Sequence, residues 1–182
     1  MDEVKTFIAL FRGINVGGKN SLPMRRRAGM FESLGCTAVR TYIQSGNVVF
    51  EASQALARRL PKEVSEMILK KARLEVPVIV RSSNEFANVV RGNPFLAAGA
   101  DPKTLHVAFL ADVPSSARVA ALDAGRSPPD EIVVVGREIY LCLPNGVGRT
   151  RFTNAYLDAK LGTVSTLRNL RTVEKLLELC SC

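Results

Sequence analysis

Short apolar runs alternate along the chain with longer stretches of helical periodicity. Residues 4–11 are rich in β-branched and aromatic side chains and predict a first strand. The glycine-rich loop 12–20 follows this strand, and apolar residues at helical spacing then predict a helix that ends at Gly35. The apolar face of that helix comprises Met24, Ala28, Phe31 and Leu34.

The next segment combines a hairpin pattern with a long amphipathic helix. Two short strands at 39–43 and 48–52 flank Gln44-Ser45-Gly46-Asn47, and this spacing predicts a tight antiparallel hairpin. Pro61 falls inside the helical pattern that follows and marks either a break or the start of the helix. The remaining elements of the first half are a strand at 76–80 and a helix at 84–90. The resulting order, β-α-β-β-α-β, is that of a ferredoxin-like domain.

The second half begins with the same order and then differs. Its predicted elements are a strand at 105–111, a helix at 115–122, strands at 131–135 and 138–143, and helices at 153–161 and 167–179. We therefore predict an α+β fold of two ferredoxin-like subdomains, the second a diverged βαββα unit with an extra C-terminal helix. The predicted boundaries are 1–92 for the first subdomain, 93–102 for a linker and 103–182 for the second subdomain.

Length and composition are those of an ordinary globular protein. With 182 residues, 47% hydrophobic and 23% charged, the chain is neither disordered nor fibrous in character. No apolar run is long enough to cross a bilayer, and the acidic start Met1-Asp2-Glu3 is unlike a secretory signal. The sequence thus predicts a cytoplasmic protein that does not associate with membranes.

Four cysteines and one histidine restrict the available metal and thiol chemistry. Cys36 and Cys142 lie in apolar surroundings and are predicted to be core residues, whereas Cys180 and Cys182 are predicted to be frayed thiols at the carboxyl end. His106 has no Cys or His at ligand spacing and falls inside an apolar strand. We predict that it is a strand histidine, and that the protein binds neither a metal nor a cofactor.

Positive charge is concentrated in the first half of the chain. Residues 1–100 carry 15 bases and 8 acids, so most of the net charge of +8 lies there. The excess forms the clusters Arg25-Arg26-Arg27, Arg58-Arg59-Lys62 and Lys70-Lys71-Arg73. Such clusters attract nucleic acid or acidic partners. The favoured interpretation is a solvated helix face, because no aromatic residues are interleaved with these bases.

Strand direction brings two motifs to one end of the first predicted sheet. The loop after the first strand and the hairpin after the second leave the sheet at the same end, where glycines and a helix N-terminus favour anion binding. The candidate anion-binding residues are Arg12, Gly13, Asn15, Gly17, Gly18, Lys19, Asn20, Gln44, Ser45 and Asn47. The alternative is a loop whose glycines only turn and whose asparagines bond to their own backbone.

The glycine-rich loop is also one residue away from a P-loop. Residues 13–20 read G-x-x-x-x-G-K-N, with Asn20 in place of the hydroxyl that holds magnesium. Pro23 places the helix start several residues beyond Lys19, whereas a P-loop leads directly into its helix. A hairpin after this helix also disagrees with the parallel crossovers of that fold. The sequence therefore disfavours a nucleoside triphosphatase.

A secondary basic site is predicted near the carboxyl end. Arg168 and Arg171 share a stripe with Lys175 on the predicted helix 167–179, and the two arginines fall where positive charge opposes the helix dipole. This placement indicates a neighbouring carboxylate or an external anion. Arg149, in a second glycine-rich loop, completes the predicted site. The alternative is that the arginine stems cover apolar surface.

Four motifs resemble a bacterial family catalogued as domain of unknown function 1697. They lie at 11–20, 39–50, 144–149 and 166–176. The resemblance covers nearly the whole chain and implies paired ferredoxin-like α+β subdomains, but no reaction. The family usually has Trp where this chain has Leu170, so no aromatic ring is available for stacking at that position.

Three functions are compatible with these motifs. The favoured one is a binding module that holds a phosphate-bearing small molecule or a nucleic-acid backbone at the 12–20 loop and the 44–47 hairpin. The second is a metal-free phosphoryl or acyl-phosphate hydrolase, by analogy with acylphosphatases, in which Arg12 and backbone amides stabilise the anion and Asn47 positions a water. The third is a structural or protein-interaction module without catalysis. Whether the protein is an enzyme stays open, since neither motif contains a His or a carboxylate to act as general base.

Overall fold

The residues described by the computed structural model, 3–14, 22–44 and 46–181, form eight strands and seven α-helices. The strands are β1 (Val4–Phe11), β2 (Thr37–Tyr42), β3 (Asn47–Ser53), β4 (Val78–Ser82), β5 (Leu105–Leu110), β6 (Glu131–Val135), β7 (Glu138–Cys142) and β8 (Ser165–Asn169). The helices are α1 (Met24–Ser33), α2 (Gln54–Ala72), α3 (Ser83–Arg91), α4 (Pro94–Ala97), α5 (Ser116–Ala120), α6 (Asn154–Leu161) and α7 (Leu170–Cys180).

The strands make two four-stranded antiparallel sheets with the same internal order. One sheet is ordered β2-β3-β1-β4 and the other β6-β7-β5-β8. In each, the chain follows a β-α-β-β-α-β path and adds one more helix after the fourth strand, α3 in the first case and α7 in the second. The predicted α+β fold with two ferredoxin-like units is confirmed.

The two sheets also share their register. Ile8 of β1 lies opposite Arg81 of β4, and Val107 of β5 lies opposite Arg168 of β8. Both arginines are buried, and Nη1 of each donates a hydrogen bond to the carbonyl of the residue before it, at 3.1 and 2.8 Å. The second unit therefore repeats the first in the detail of its fourth strand.

Strand β8 corrects the predicted divergence of the second half. The spacing of two leucines led to a predicted helix over 167–179, but Ser165–Asn169 pairs with β5 and α7 begins only at Leu170. Arg168 consequently lies on a strand, and the helical stripe that was predicted to join it to Arg171 does not exist. Pairing with β5 outweighs the local helical pattern because it satisfies the backbone of an otherwise buried segment.

Contacts between Cα atoms divide the chain into two units. Met1–Ala87 is grouped with Lys175–Cys182, and Asn88–Glu174 forms the second unit. The predicted boundaries, with a linker at 93–102 and the C-terminal helix in the second subdomain, differ from this grouping and stay a prediction. Part of the 93–102 segment forms helix α4, and a 3₁₀ turn, Pro102–Thr104, begins at the last residue of the segment.

The core of the first unit lies on the helix-covered face of its sheet. The Phe31 ring of α1 is 6.1 Å from the ring of Phe11 and 4.9 Å from that of Phe50. Helix α2 runs through Pro61 without interruption, so neither a break nor a helix start occurs there. The hydroxyl of Ser53 accepts the N–H of Leu56 at 3.2 Å and begins the helix well before the proline.

We predict that Asp158 of α6 holds β8 in place. Its Oδ1 accepts hydrogen bonds from the N–H and the hydroxyl of the buried Ser165, at 2.8 and 2.7 Å. Asp158→Ala is expected to lower the free energy of unfolding by about 2 kcal/mol, because two buried donors lose a charged acceptor. Urea unfolding measures this difference. The control is Asp123→Ala, which removes an acceptor from an exposed turn; an equal loss in both variants contradicts the prediction.

Candidate anion-binding site

Gly46 brings the β2–β3 hairpin into direct contact with the end of β1. The Phe11 N–H donates to the Gly46 carbonyl at 2.8 Å. Gly46 has φ +86°, and a Cβ on it would lie 2.7 Å from both Phe11 Cβ and Ile14 Cδ1. Both the conformation and the close approach therefore require glycine here. The loop after β1 and the hairpin are neighbours at one edge of the first sheet, as the strand directions predict.

Arg12 is fixed at the start of the loop by its main chain. Its N–H donates to the carbonyl of Pro77, immediately before β4, at 3.0 Å, and its side chain is half-buried. Gly13 follows in a left-handed conformation, φ +69°, with open space where a Cβ would be. The position of Arg12 is thus set by the hairpin on one side and by the entry to β4 on the other.

The hairpin turn is both rigid and strained. Tyr42 lies opposite Asn47, and the buried Asn47 amide donates to the Tyr42 carbonyl at 3.1 Å. Ile43, the first residue of the turn, has φ +47° although it is β-branched, and it is 43% exposed. This conformation costs about 1–2 kcal/mol for a residue other than glycine, and such strain is concentrated at functional turns. Gln44 beside it is exposed.

Four of the ten predicted anion-binding residues are described by the structure. Arg12, Gly13, Gln44 and Asn47 are brought to one edge of the first sheet, where Asn47 has its amide engaged within the hairpin. The other six lie outside the described residues: Asn15, Gly17, Gly18, Lys19, Asn20 and Ser45.

Arg27, which the sequence motifs do not include, is fully buried. Arg25 and Arg26 are exposed, as a solvated helix face requires, but Arg27 is 0% exposed and shares the buried face of α1 with Met30 and Phe31. Its Nε, Nη1 and Nη2 atoms are all buried, and no described residue accepts a hydrogen bond from them. Burial lowers the pKa of this guanidinium. The i, i+3, i+4 spacing of Arg27, Met30 and Phe31 was the available signal.

Arg27 lies toward the end of α1 that is nearer the β1 loop. In a β-α-β unit, the crossover helix runs back across the sheet, so its N-terminus lies over the carboxyl end of β1. Arg27 is one turn, about 5.4 Å, closer to that end than Phe31, whose ring contacts Phe11. The first turn of α1 contains no acidic residue, and its N-cap, Pro23, provides no side-chain hydrogen bond. Met24, predicted to lie on the apolar face, is 38% exposed.

The predicted secondary basic site contains arginines in different settings. Arg149 and Arg171 are exposed, whereas Arg168 is buried on β8. Nη1 of Arg168 donates to Thr166 Oγ1 at 2.9 Å and to the Leu167 carbonyl at 2.8 Å. The guanidinium of Arg168 is therefore bonded within its own strand, and a binding role for these residues stays a prediction.

The thiols of Cys36 and Cys180 are not activated for nucleophilic chemistry. Cys36 and Cys142 are buried, which confirms them as core residues. Burial raises the pKa of Cys36 to about 11 and that of Cys180 also to about 11, the latter against the opposing effect of Arg40. Cys180 is the last residue of α7 and its Sγ contacts the Leu176 carbonyl at 3.2 Å, so it is not frayed. Cys182 lies outside the described residues. The thiols of Cys36 and Cys180 are protonated at neutral pH.

His106 occupies the predicted strand position on β5. Its side chain is buried and Nδ1 lies 3.2 Å from the Thr104 carbonyl. Burial lowers the pKa of this histidine, and the bond to Thr104 partly opposes that effect. Over the described ranges, no cluster of three or more His, Cys, Asp or Glu side chains is suited to a metal ion. Within the same ranges no helix has both the length and the apolarity to span a bilayer; the cytoplasmic location stays a prediction.

A family model for proteins of unknown function, DUF1697, matches residues 4–140. The chain belongs to the DUF1697 family. This confirms the resemblance found in the sequence motifs. The matched range contains both the β1 loop and the β2–β3 hairpin, and it ends on β7, before the loop that carries Arg149.

A solved structure shows the same fold as this DUF1697 protein. It is that of the conserved bacterial protein SP0830 from Streptococcus pneumoniae, with a TM-score of 0.70 and 20% sequence identity over 98% of this chain and 99% of that one. At this level of identity the likeness shows the fold alone. No curated protein matches the chain in sequence.

Leu170 takes a core position in this DUF1697 chain. It is completely buried in a cluster with Leu105 and Cys142, against which Phe95 and Leu96 also pack. The position at which the family usually has Trp therefore contributes to packing in the second unit. An aliphatic side chain is sufficient for that purpose.

We predict that Gly46→Ala is much more damaging than Gly13→Ala. The new methyl group at 46 meets the Cβ of Phe11, which cannot move without the backbone, in addition to the left-handed strain. We expect a loss of about 3 kcal/mol at Gly46 from overpacking and strain, and about 1 kcal/mol at Gly13 from strain alone. Urea unfolding of the two variants measures the difference. Equal losses would show that the hairpin does not depend on this close contact.

Proposed function

We propose that this DUF1697 protein is a binding module for a phosphate-bearing ligand, held where the β1 loop meets the β2–β3 hairpin. The observation that carries the proposal is the packing of Gly46 directly on Phe11 and Ile14. This contact brings the half-buried Arg12 and the exposed Gln44 to the same edge of the sheet. A cation and an amide on a rigid base are the groups that fix a phosphate by charge-assisted hydrogen bonds.

The charge around this edge supports an anionic ligand. Arg12, Arg25 and Arg26 lie on segments that flank the β1 loop, and the latter two are exposed. The first turn of α1 contributes no acid to balance them. Guanidinium groups match the geometry of phosphate oxygens better than ammonium groups do, because they donate two parallel hydrogen bonds. The strained, exposed Ile43 turn supports a site in which backbone geometry is held for binding.

Binding is favoured over hydrolysis because a general base is missing from the two motifs. Residues 11–20 and 39–50 contain no His, Asp or Glu. Two of the thiols, those of Cys36 and Cys180, are protonated at neutral pH. Without a positioned general base, a hydrolase lacks a contribution of about 10²- to 10⁴-fold to its rate. The features near Arg12 are therefore those of recognition.

We predict that inorganic phosphate and pyrophosphate raise the melting temperature of the wild-type protein and that Arg12→Ala reduces this rise to about half or less. At a ligand concentration of 100 Kd, binding adds about 2.7 kcal/mol to stability, equivalent to a rise of roughly 5–10 °C. Loss of one charge-assisted contact weakens binding about 10- to 100-fold. The measurement is a thermal melt with and without each anion. The control is Arg58→Ala, which removes an exposed arginine from α2.

Each alternative function has its own outcome in this experiment. Phosphate binding that is unchanged in Arg12→Ala contradicts the proposed location. The absence of any anion effect in the wild type contradicts the proposed function and favours a structural module. Turnover of acetyl phosphate without metal favours a hydrolase. Tight binding of a single-stranded oligonucleotide that weakens steeply with salt favours a nucleic-acid backbone as the ligand.

A further inference from the structure

We infer that Arg27 is the deep contact of this site and that it selects a terminal phosphate, as in inorganic phosphate or a phosphomonoester, over a phosphodiester. The inference rests on the proposed function and adds a residue and a ligand class to it. It concerns a side chain that the sequence motifs do not include.

The charge of Arg27 is not balanced by the described protein. Its three guanidinium nitrogens are buried, and none of them bonds to a described residue. The internal residues outside the described ranges, 15–21 and 45, contain no Asp or Glu, so no carboxylate from them can pair with Arg27. Buried charges in proteins are normally paired, because an unpaired ion loses its hydration and gains no compensating interaction. An external anion supplies the missing charge.

The planar geometry of the Arg27 guanidinium indicates which class of anion it would bind. A guanidinium presents its donors as a planar fork that fits two oxygens of one phosphate. Its neighbours on the buried face of α1, Met30 and Phe31, offer no oxygen acceptor on their side chains. The main-chain N–H groups of Arg26 and Arg27 already donate to the Pro23 carbonyl, at 3.0 and 3.1 Å. Recognition at this helix end therefore depends on the arginine side chain.

The depth of Arg27 distinguishes terminal from bridging phosphates. Its guanidinium is fully buried, yet Met24, Arg25 and Arg26 of the same helical turn are exposed. A ligand can reach Arg27 only with a group that extends past these exposed residues and beyond the rest of the ligand. A phosphomonoester does so with one substituent and nearly two negative charges. A phosphodiester carries a substituent on each side and a single charge, and it would need to bury both flanks.

The test compares Arg27→Met with Arg26→Met, an exposed neighbour on the same helix. In phosphate-free buffer, Arg27→Met is expected to raise the melting temperature, because an uncompensated buried cation is replaced by an apolar chain of similar length. The same variant is expected to lose the phosphate-induced rise. Arg26→Met is expected to leave the phosphate Kd within about threefold of wild type. The ligands are inorganic phosphate, a phosphomonoester and a dimethyl phosphodiester, with Kd measured by calorimetry.

A second variant, Arg27→Lys, keeps the charge and removes the planar fork. Phosphate binding at least tenfold weaker than wild type supports the inference, and unchanged binding overturns it. The inference is also overturned if Arg27→Met melts lower in phosphate-free buffer yet keeps the phosphate effect, or if the phosphodiester binds as tightly as the monoester. These results leave the proposed function intact when Arg12→Ala still weakens phosphate binding by the predicted amount. A wild-type protein without any phosphate effect overturns the proposed function itself.

Discussion

The close contact of the Gly46 backbone with Phe11 and Ile14 is the constraint on which the arrangement of the candidate site depends. The Phe11 N–H donates to the Gly46 carbonyl at 2.8 Å, and side-chain atoms of Phe11 and Ile14 approach Gly46 at distances that no Cβ could tolerate. The contact continues the β1–β3 register, in which Leu10 lies opposite Asn47, beyond the end of the strand. The Gly46 end of the hairpin turn is therefore anchored to β1.

The two units show how the protein handles a buried arginine when its role is structural. Arg81 and Arg168 occupy the same register position on their fourth strands, and each guanidinium donates to a main-chain carbonyl of that strand. The residue that follows each arginine, Ser82 or Asn169, accepts an N–H from the first turn of the next helix. Arg27 differs from both, because its guanidinium has no hydrogen bond to a described residue. The guanidinium groups of Arg81 and Arg168 are therefore bonded within the fold, whereas that of Arg27 is not bonded to the described residues.

Local patterns predicted most of the fold because local and long-range preferences agree in most segments. The β-branched run at 4–11 forms a strand, and the predicted hairpin joins β2 to β3. Strand direction alone predicted that the loop after β1 and this hairpin are neighbours. The failures occur where the two preferences conflict. Leu167 and Leu170 are at helical spacing, so a helix was predicted where part of β8 lies. Three consecutive arginines predicted a solvated surface, although the third lies on the buried face of α1. The pairing of β8 with β5 cannot be read from a local window, since it depends on residues distant in sequence. The burial of Arg27 had a local signal in its spacing with Met30 and Phe31, but the run of three arginines indicated a solvated surface instead.

Packing and hydrogen bonding explain Gly46 and Asn47, whereas Ile43 and Arg27 are the features that the proposed anion site would explain. Gly46 and Asn47 stabilise the hairpin by packing and by a hydrogen bond. Ile43 adopts a left-handed conformation that glycine would adopt without strain. Arg27 buries a charged group at a position where an uncharged methionine would cost less stability. Each feature costs stability in the free protein, and the two belong to the hairpin and the helix at one end of the sheet. The proposed anionic ligand would offset the second of these costs directly, because its charge would compensate a buried guanidinium that is shielded from water.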